Sequence, residues 1–188
     1  MHLSNGVPSY WRHRFLVALT AAGVATSVAG AQGGSLQVLG YVGTVPTDWL
    51  SRAPSSSMRL AEFVIPERSG APGSEIVVYF FGTGQGGSVD ANVDRWRSQF
   101  SNPAGGAVFE RITRDTTAAF PITIAEWRGT YARGIGTGSS SGDARPDHTL
   151  VAAIAETPRG TLFFQLFGPS GAVAATQERY LQVVRSLK

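Results

Sequence analysis

The chain has 188 residues, no cysteine, and a formal charge of +3 that comes from 16 basic and 13 acidic residues. Without cysteine there are no disulfides and no lipidated amino-terminal cysteine, so stability has to come from packing. The only lysine is Lys188 and no basic run occurs, which argues against a nucleic-acid-binding surface.

The amino-terminal segment has the pattern of a secretory signal peptide. Two arginines precede the apolar run 15–28, and an A-x-A motif that ends at Ala31 follows it. This arrangement is typical of a cleaved signal. We therefore predict a signal peptide over 1–31, cleavage before Gln32, and export of one mature domain over 32–188. An uncleaved anchor is the less favoured alternative, because a membrane-spanning helix needs about 20 apolar residues, and no later run reaches that length.

The mature chain begins with predicted strands. Apolar and β-branched runs bounded by glycine and proline predict strands over 36–42, 58–65 and 75–81. Between the first two lies an irregular segment that carries Trp49. The third run, EIVVYFF, is apolar almost throughout, which is typical of a central strand buried on both faces.

A helix is predicted over 88–100, followed by four strands and a second helix. Ser88 can cap the first helix, and apolar residues recur in it at spacings of three and four. The later strands are expected at 108–115, 120–133, 149–156 and 161–167, the second helix at 172–187, and a polar surface loop at 134–146. Because short turns join consecutive strands, we predict an α+β domain with a mostly antiparallel sheet of six or seven strands covered by two helices.

Several segments resemble an uncharacterised family of exported bacterial proteins. They are SSSMRLAEFVIP, VVYFFGTGQGGSVDANVDRWRSQF, RGTYAR and LFFQLFGPSGAVAA. In the order of its strands and helices, that family is similar to the PsbP extrinsic photosystem subunits. The resemblance implies a PsbP-like layered fold and an envelope location, and it implies no activity. Where the resemblance leads us to expect a lysine, this chain has Gln165.

The glycine-rich segment 82–87 fits the pattern G-x-G-x-x-G between a predicted strand and a predicted helix. In that context backbone N–H groups can bind a phosphate. The alternating parallel strands of a dinucleotide fold are missing, however, and Glu110, which lies near the distance of the ribose-binding carboxylate, begins its strand instead of ending it. We favour a turn whose glycines adopt positive φ. The alternative is an anion or nucleotide site at Gly84, Gly86, Gly87 and Ser88.

The serine-rich segment 138–142 satisfies G-x-S-x-G, and His148 is the one histidine after the predicted cleavage site. A nucleophilic serine needs a rigid elbow and a base within hydrogen-bonding reach, whereas this segment lies in a polar predicted loop. We favour a solvated loop, with a serine hydrolase as the alternative. One histidine and scattered carboxylates make a poor metal-ligand set.

A polar stripe on the first helix is the best candidate for binding. Asn92, Arg95 and Gln99 either hold a partner or anchor the helix by hydrogen bonds, and Trp49 is either a core residue or a ligand platform. We predict an exported, non-enzymatic envelope protein that binds a protein or a small ligand and has no cofactor.

Overall fold

The computed structural model describes residues 34–67, 73–132 and 144–188. The strands are β1 (Ser35–Val38), β2 (Tyr41–Thr44), β3 (Leu50–Arg52), β4 (Arg59–Ile65), β5 (Ser74–Tyr79), β6 (Phe100–Ser101), β7 (Phe109–Asp115), β8 (Ile122–Tyr131), β9 (Arg145–Thr157) and β10 (Gly160–Pro169), and the helices are α1 (Val89–Arg97) and α2 (Ser170–Arg185). No helix among these residues is both long enough and apolar enough to cross a membrane.

Eight strands of the described chain form one antiparallel sheet in the order β3-β4-β5-β10-β9-β8-β6, and β7 also pairs with β8. The predicted α+β class is confirmed. The strand count is higher than predicted because β3 has three residues and β6 has two, which is too short for a periodic pattern to show.

The segment 36–42 is not one strand, as its apolar pattern predicts, but part of a separate hairpin of β1 and β2. The chain reverses at Leu39 and Gly40, which both have positive φ, of 50° and 76°. Two consecutive residues in that region are typical of the tight turns that join antiparallel strands. Arg159 stabilises the turn, since it donates a hydrogen bond of 2.5 Å to the carbonyl oxygen of Leu39.

One face of the sheet is covered by α2 and by the β1–β2 hairpin. The buried face of α2 includes Val173, Tyr180 and Val184, which pack against the residues of β9 and β10 that point to this side, such as Val151 and Phe164. Burial raises the pKa of Tyr180, so its phenol stays neutral in this core. The predicted second helix is therefore confirmed, and it encloses the larger of the two apolar cores.

Among the described elements, only the helix α1 covers the opposite face. Ser88 caps the helix by accepting a hydrogen bond of 3.1 Å from the N–H of Ala91, and Val93 and Trp96 pack onto the sheet. The helix ends at Arg97 instead of continuing to Phe100, which is buried as part of β6. Nine residues make a helix of roughly 14 Å, so the helices and strands of the described ranges leave much of this face uncovered.

Candidate functional site

The uncovered part of the α1-bearing face has a floor of strand residues from β5, β10 and β9. Gln165 lies at its centre, directly opposite Val77 on one side and Ala152 on the other. The floor residue from β9 is Leu150. The next residues on the same face of β5 and β10, Tyr79 and Phe167, also line the depression.

This depression, which we call the cleft, has a volume of about 400 Å³. It continues into a second cavity of about 260 Å³, which shares Tyr79, Gln99, Tyr131 and Gln165 with it and ends below Arg95 on α1. Cavities of about 300–1,000 Å³ with a few convergent polar groups are the common form of a small-molecule site.

The walls of the cleft are aromatic. On one side Tyr79 and Phe81 stack with ring centroids 6.0 Å apart and planes 6° from parallel. On the other side Tyr131 and Phe167 approach to 4.6 Å, and Phe100 supports Tyr131 from behind at 5.4 Å. Such rings offer broad, rigid surfaces for a planar or apolar group.

Arginines stand at the rim of the cleft. The Arg59 guanidinium lies 5.4 Å from the centre of the Tyr79 ring and pairs with Glu62 at 3.1 Å. Burial raises the pKa of Glu62, but hydrogen bonds from Ser55 and Arg59 outweigh it, so the net pKa is lowered and the pair stays ionised. Arg145 lies 5.9 Å from the centre of the Phe167 ring. In the described segments no carboxylate comes within salt-bridge distance of Arg145.

The predicted polar stripe of α1 divides between two roles. Gln99, just beyond the end of α1, lines the cleft and the adjoining cavity, and Arg95 lines the adjoining cavity. Asn92 does not, because its side chain is buried and donates hydrogen bonds of 2.7 Å to the carbonyl oxygen of Gly86 and 2.8 Å to that of Ser88. Its amide oxygen accepts a hydrogen bond of 2.6 Å from Arg95. Asn92 thus fixes the glycine-rich turn to the helix and orients Arg95, which lines the adjoining cavity.

The glycine-rich turn has the backbone geometry that its sequence predicts. Gly82, Gly84, Gly86 and Gly87 all have positive φ. The described strands pair only in antiparallel fashion, so the parallel-strand setting of a dinucleotide fingerprint is missing from them. Whether the N–H groups of residues 84–88 bind an anion stays a prediction.

Glu110 also has a structural role. It accepts hydrogen bonds of 2.5 and 3.0 Å from Arg97 and one of 2.6 Å from the indole N–H of Trp127. The hydrogen bond from Arg97 is the main cause of its lowered pKa, and the one from Trp127 adds to it, although burial acts in the opposite direction. This carboxylate joins α1 to β7 and β8 through both of its oxygens.

Trp49 lies apart from the cleft, in the core on the α2 side. It is 0% exposed, its ring lies 6.2 Å from that of Phe63, and the Arg179 guanidinium lies 5.8 Å from its centre. Arg179 is held there by Asp48, with an Arg179 N–Asp48 O distance of 3.0 Å. Trp49 is therefore a core residue, as one of the two interpretations of the sequence has it, and a ligand at the surface has no access to it.

The serine segment 138–142 and the predicted cleavage site at Ala31 and Gln32 lie outside the described residues. His148 is described: its Nδ1 lies 2.8 Å from the carbonyl oxygen of Pro146, and its ring packs against that of Phe167 at 5.3 Å. No group of three potential metal ligands occurs in the described ranges.

The sequence alone does not show Tyr79, Tyr131 and Gln165 as residues of one site. The available signal is Gln165 itself, which is a single polar residue within the apolar run LFFQLF. A polar side chain in the middle of a central strand needs either a partner or an opening to solvent, and here it faces the opening.

Neither a protein-family model nor a curated protein sequence matches this chain. Among solved structures, it is similar to the solution structure of cyanobacterial PsbP, CyanoP, from Synechocystis sp. PCC 6803. The two chains are 13% identical, the match covers 89% of this chain and 98% of CyanoP, and the TM-score is 0.53. The chain therefore has a PsbP-like fold, as the resemblance in its sequence implies.

Proposed function

We propose that this chain is an exported, non-enzymatic module that binds a ligand in the cleft, either a small molecule or a side chain of a partner protein. The observation that carries the proposal is that two side-chain amides in the cleft make no hydrogen bond to the described protein residues. Gln99 and Gln165 are partly buried and line both cavities. Within the described residues neither side-chain amide makes a hydrogen bond.

Unused amides in such a position favour binding of a polar, planar group. Each amide offers two donor hydrogens and one acceptor oxygen. Neither amide is cut off from solvent, so a polar group of the ligand would replace water at these positions. The rings of Tyr79 and Tyr131 flank the same space, so a flat group could stack on a ring while its polar edge meets an amide. Arg145 at the rim would favour a negative charge beside it, whereas Glu75, which also lines the cleft, would favour the neutral or positive end of the ligand.

Magnetic resonance of the isotope-labelled chain 32–188 tests the cleft with small probes of defined chemistry. Benzoate, nicotinamide and indole serve as probes of an aromatic acid, an aromatic amide and an uncharged ring. We expect benzoate and nicotinamide to shift the side-chain NH₂ signals of Gln99 and Gln165. The NH₂ signal of Gln182 on the exposed side of α2 should not move. Shifts that are absent from the two cleft amides, or that are strongest elsewhere, contradict the proposal.

Two variants, one at the cleft and one far from it, are compared with the parent chain in the same probe titrations. Gln165→Leu removes the central amide while keeping a side chain of similar size, and we expect it to weaken probe binding. Gln182→Leu makes the same chemical change far from the cleft and should bind the probes like the parent chain. If both variants bind equally well, the amide of Gln165 does not contact the probe.

Export is the second part of the proposal and has its own test. It is supported by the basic, apolar and A-x-A pattern before Gln32. Mass spectrometry of the chain recovered from its native host should find an amino terminus at Gln32 in the envelope or the medium. A full-length chain embedded in the membrane contradicts this part and leaves the cleft proposal standing.

A further inference from the structure

Strand β7 is an open edge of the sheet. It pairs with β8 along all seven of its residues, and no other strand of the described chain pairs with it. Six of the seven residues are exposed, including Phe109 and Ile112 at 46% each. An edge strand of this length presents a row of unpaired backbone N–H and C=O groups, which can pair with another strand.

When a second copy runs antiparallel to it, β7 can place one opposite-charge pairing and one apolar pairing in facing positions. In an antiparallel pair of two β7 strands centred on Ile112, each Glu110 lies opposite Arg114 of the other copy, and the two Ile112 residues lie opposite each other. Opposite charges and apolar pairs in directly facing positions stabilise antiparallel strands. A centre one residue earlier would place two Arg111 side chains opposite each other, which is unfavourable.

The charged residues of β7 also decide which partner fits. Charges on an edge strand normally discourage pairing with unrelated strands. In the register centred on Ile112, a second copy places Arg114 opposite Glu110, while Arg111 and Asp115 face the uncharged Thr113 and Phe109. The Glu110 side chain is 29% exposed and is fixed by Arg97 and Trp127. The Arg114 side chain is 60% exposed and pairs with Glu156 at 3.2 Å, so Arg114 of the second copy is the group that would extend towards the Glu110 carboxylate.

We propose that a second copy of this chain pairs with β7, so that two sheets join edge to edge in a twofold-symmetric dimer centred on Ile112. A twofold interface of this kind uses the same surface on both copies and stops at two chains. The cleft is lined by residues of β5, β10 and β9 and by Tyr131 at the end of β8. That end of β8 pairs with β6 and not with β7, so the dimer leaves the cleft open. The proposal is therefore independent of the binding proposed above.

Sedimentation equilibrium of the chain 32–188 tests the proposal. Between about 1 µM and about 1 mM, we expect the average mass to rise from one chain towards two. Ile112→Arg places two positive charges opposite each other and should keep the chain monomeric. Met58→Arg changes another residue that is 50% exposed but lies outside β7, and it should associate like the parent chain.

A charge-complementary pair of variants separates pairing at β7 from a general effect of charge. The Ile112→Arg and Ile112→Glu variants should each be monomeric, and an equimolar mixture should form a one-to-one heterodimer. Far-ultraviolet circular dichroism checks that both variants fold. The proposal is overturned if the parent chain stays monomeric at the highest concentration, if Ile112→Arg dimerises like the parent, or if the mixture stays monomeric.

Discussion

Gly86 provides the most direct test of how the glycine-rich turn is built, because a matched glycine lies two residues before it. Gly86 has φ of 96°, and a methyl group at its α-carbon would lie 2.8 and 2.9 Å from two ring carbons of Phe163 and 3.1 Å from Phe81. Gly84 also has positive φ, of 72°, but has no neighbouring atom within 4 Å of the added group. Replacing each by alanine therefore separates backbone strain from the ring contact.

The expected losses follow from these distances. Gly84→Ala forces an L-residue into the left-handed region, which costs roughly 1–2 kcal/mol, and the lower entropy of the unfolded chain offsets about 0.4–1 kcal/mol of it. Gly86→Ala has the same strain and must also displace the packed ring of Phe163, and overpacking of this kind costs typically about 1–3 kcal/mol more. We expect Gly86→Ala to lose at least about 1 kcal/mol more than Gly84→Ala.

Urea unfolding followed by tryptophan fluorescence measures both losses, provided that the slope of the transition is unchanged. A third variant, Phe163→Leu, makes room beside residue 86. In that background Gly86→Ala should cost less than in the parent chain, and the difference is the coupling between the two positions. Equal losses for Gly84→Ala and Gly86→Ala, with no coupling to Phe163, would refute the argument that the ring contact selects glycine at position 86.

Three further predictions concern the α1 side of the sheet. Trp96→Ala should reduce the free energy of unfolding by about 3–5 kcal/mol, because the ring is 3% exposed and packs between helix and sheet; a fully stable variant would contradict a core role. Asn92→Ala should cost about 1–3 kcal/mol, since the carbonyl oxygens of Gly86 and Ser88 lose a buried donor, and unchanged unfolding in urea would contradict this. The lowered pKa of Glu110 means that its stabilising contribution is complete above the ordinary pKa of a glutamate and is lost as the pH falls through the lowered value. The urea midpoint should therefore fall less for Glu110→Gln than for the parent chain when the pH is lowered from about 6 to about 3. An equal fall in both chains would contradict a stabilising role of the Glu110 carboxylate.

Most of the sheet and both helices could be predicted because local patterns decide them. The run EIVVYFF and the capped repeat after Ser88 each specify an element without distant information. The hairpin at Leu39 and Gly40 could not, because Leu39 is a poor marker of positive φ and the turn depends on the distant Arg159. The end of α1 at Arg97 could not be predicted either. Phe100 continues the helical spacing of apolar residues, but in the structure it pairs with Tyr131 in the sheet.

The candidate site was only partly visible in the sequence. Arg95 and Gln99 are four residues apart, a spacing that predicts one side of a helix. In the structure α1 ends at Arg97, Gln99 reaches the cleft from just beyond that end, and Arg95 lines the adjoining cavity. Tyr79, Tyr131 and Gln165 come from three strands, and only the register of those strands brings them together. Register depends on long-range pairing, which a single sequence does not show.

The pairing of β5 with β10 has a consequence for the order in which the chain folds. It joins residues 75–79 to residues 163–167, whereas β8, β9 and β10 follow one another along the chain and pair with their sequential neighbours. Closing a long loop costs entropy before its contacts can form. We therefore expect β8, β9 and β10 to form an early meander onto which β5 and β4 dock late. Backbone amides near the middle of β9, which is paired on both sides, should then be the slowest to exchange with deuterium.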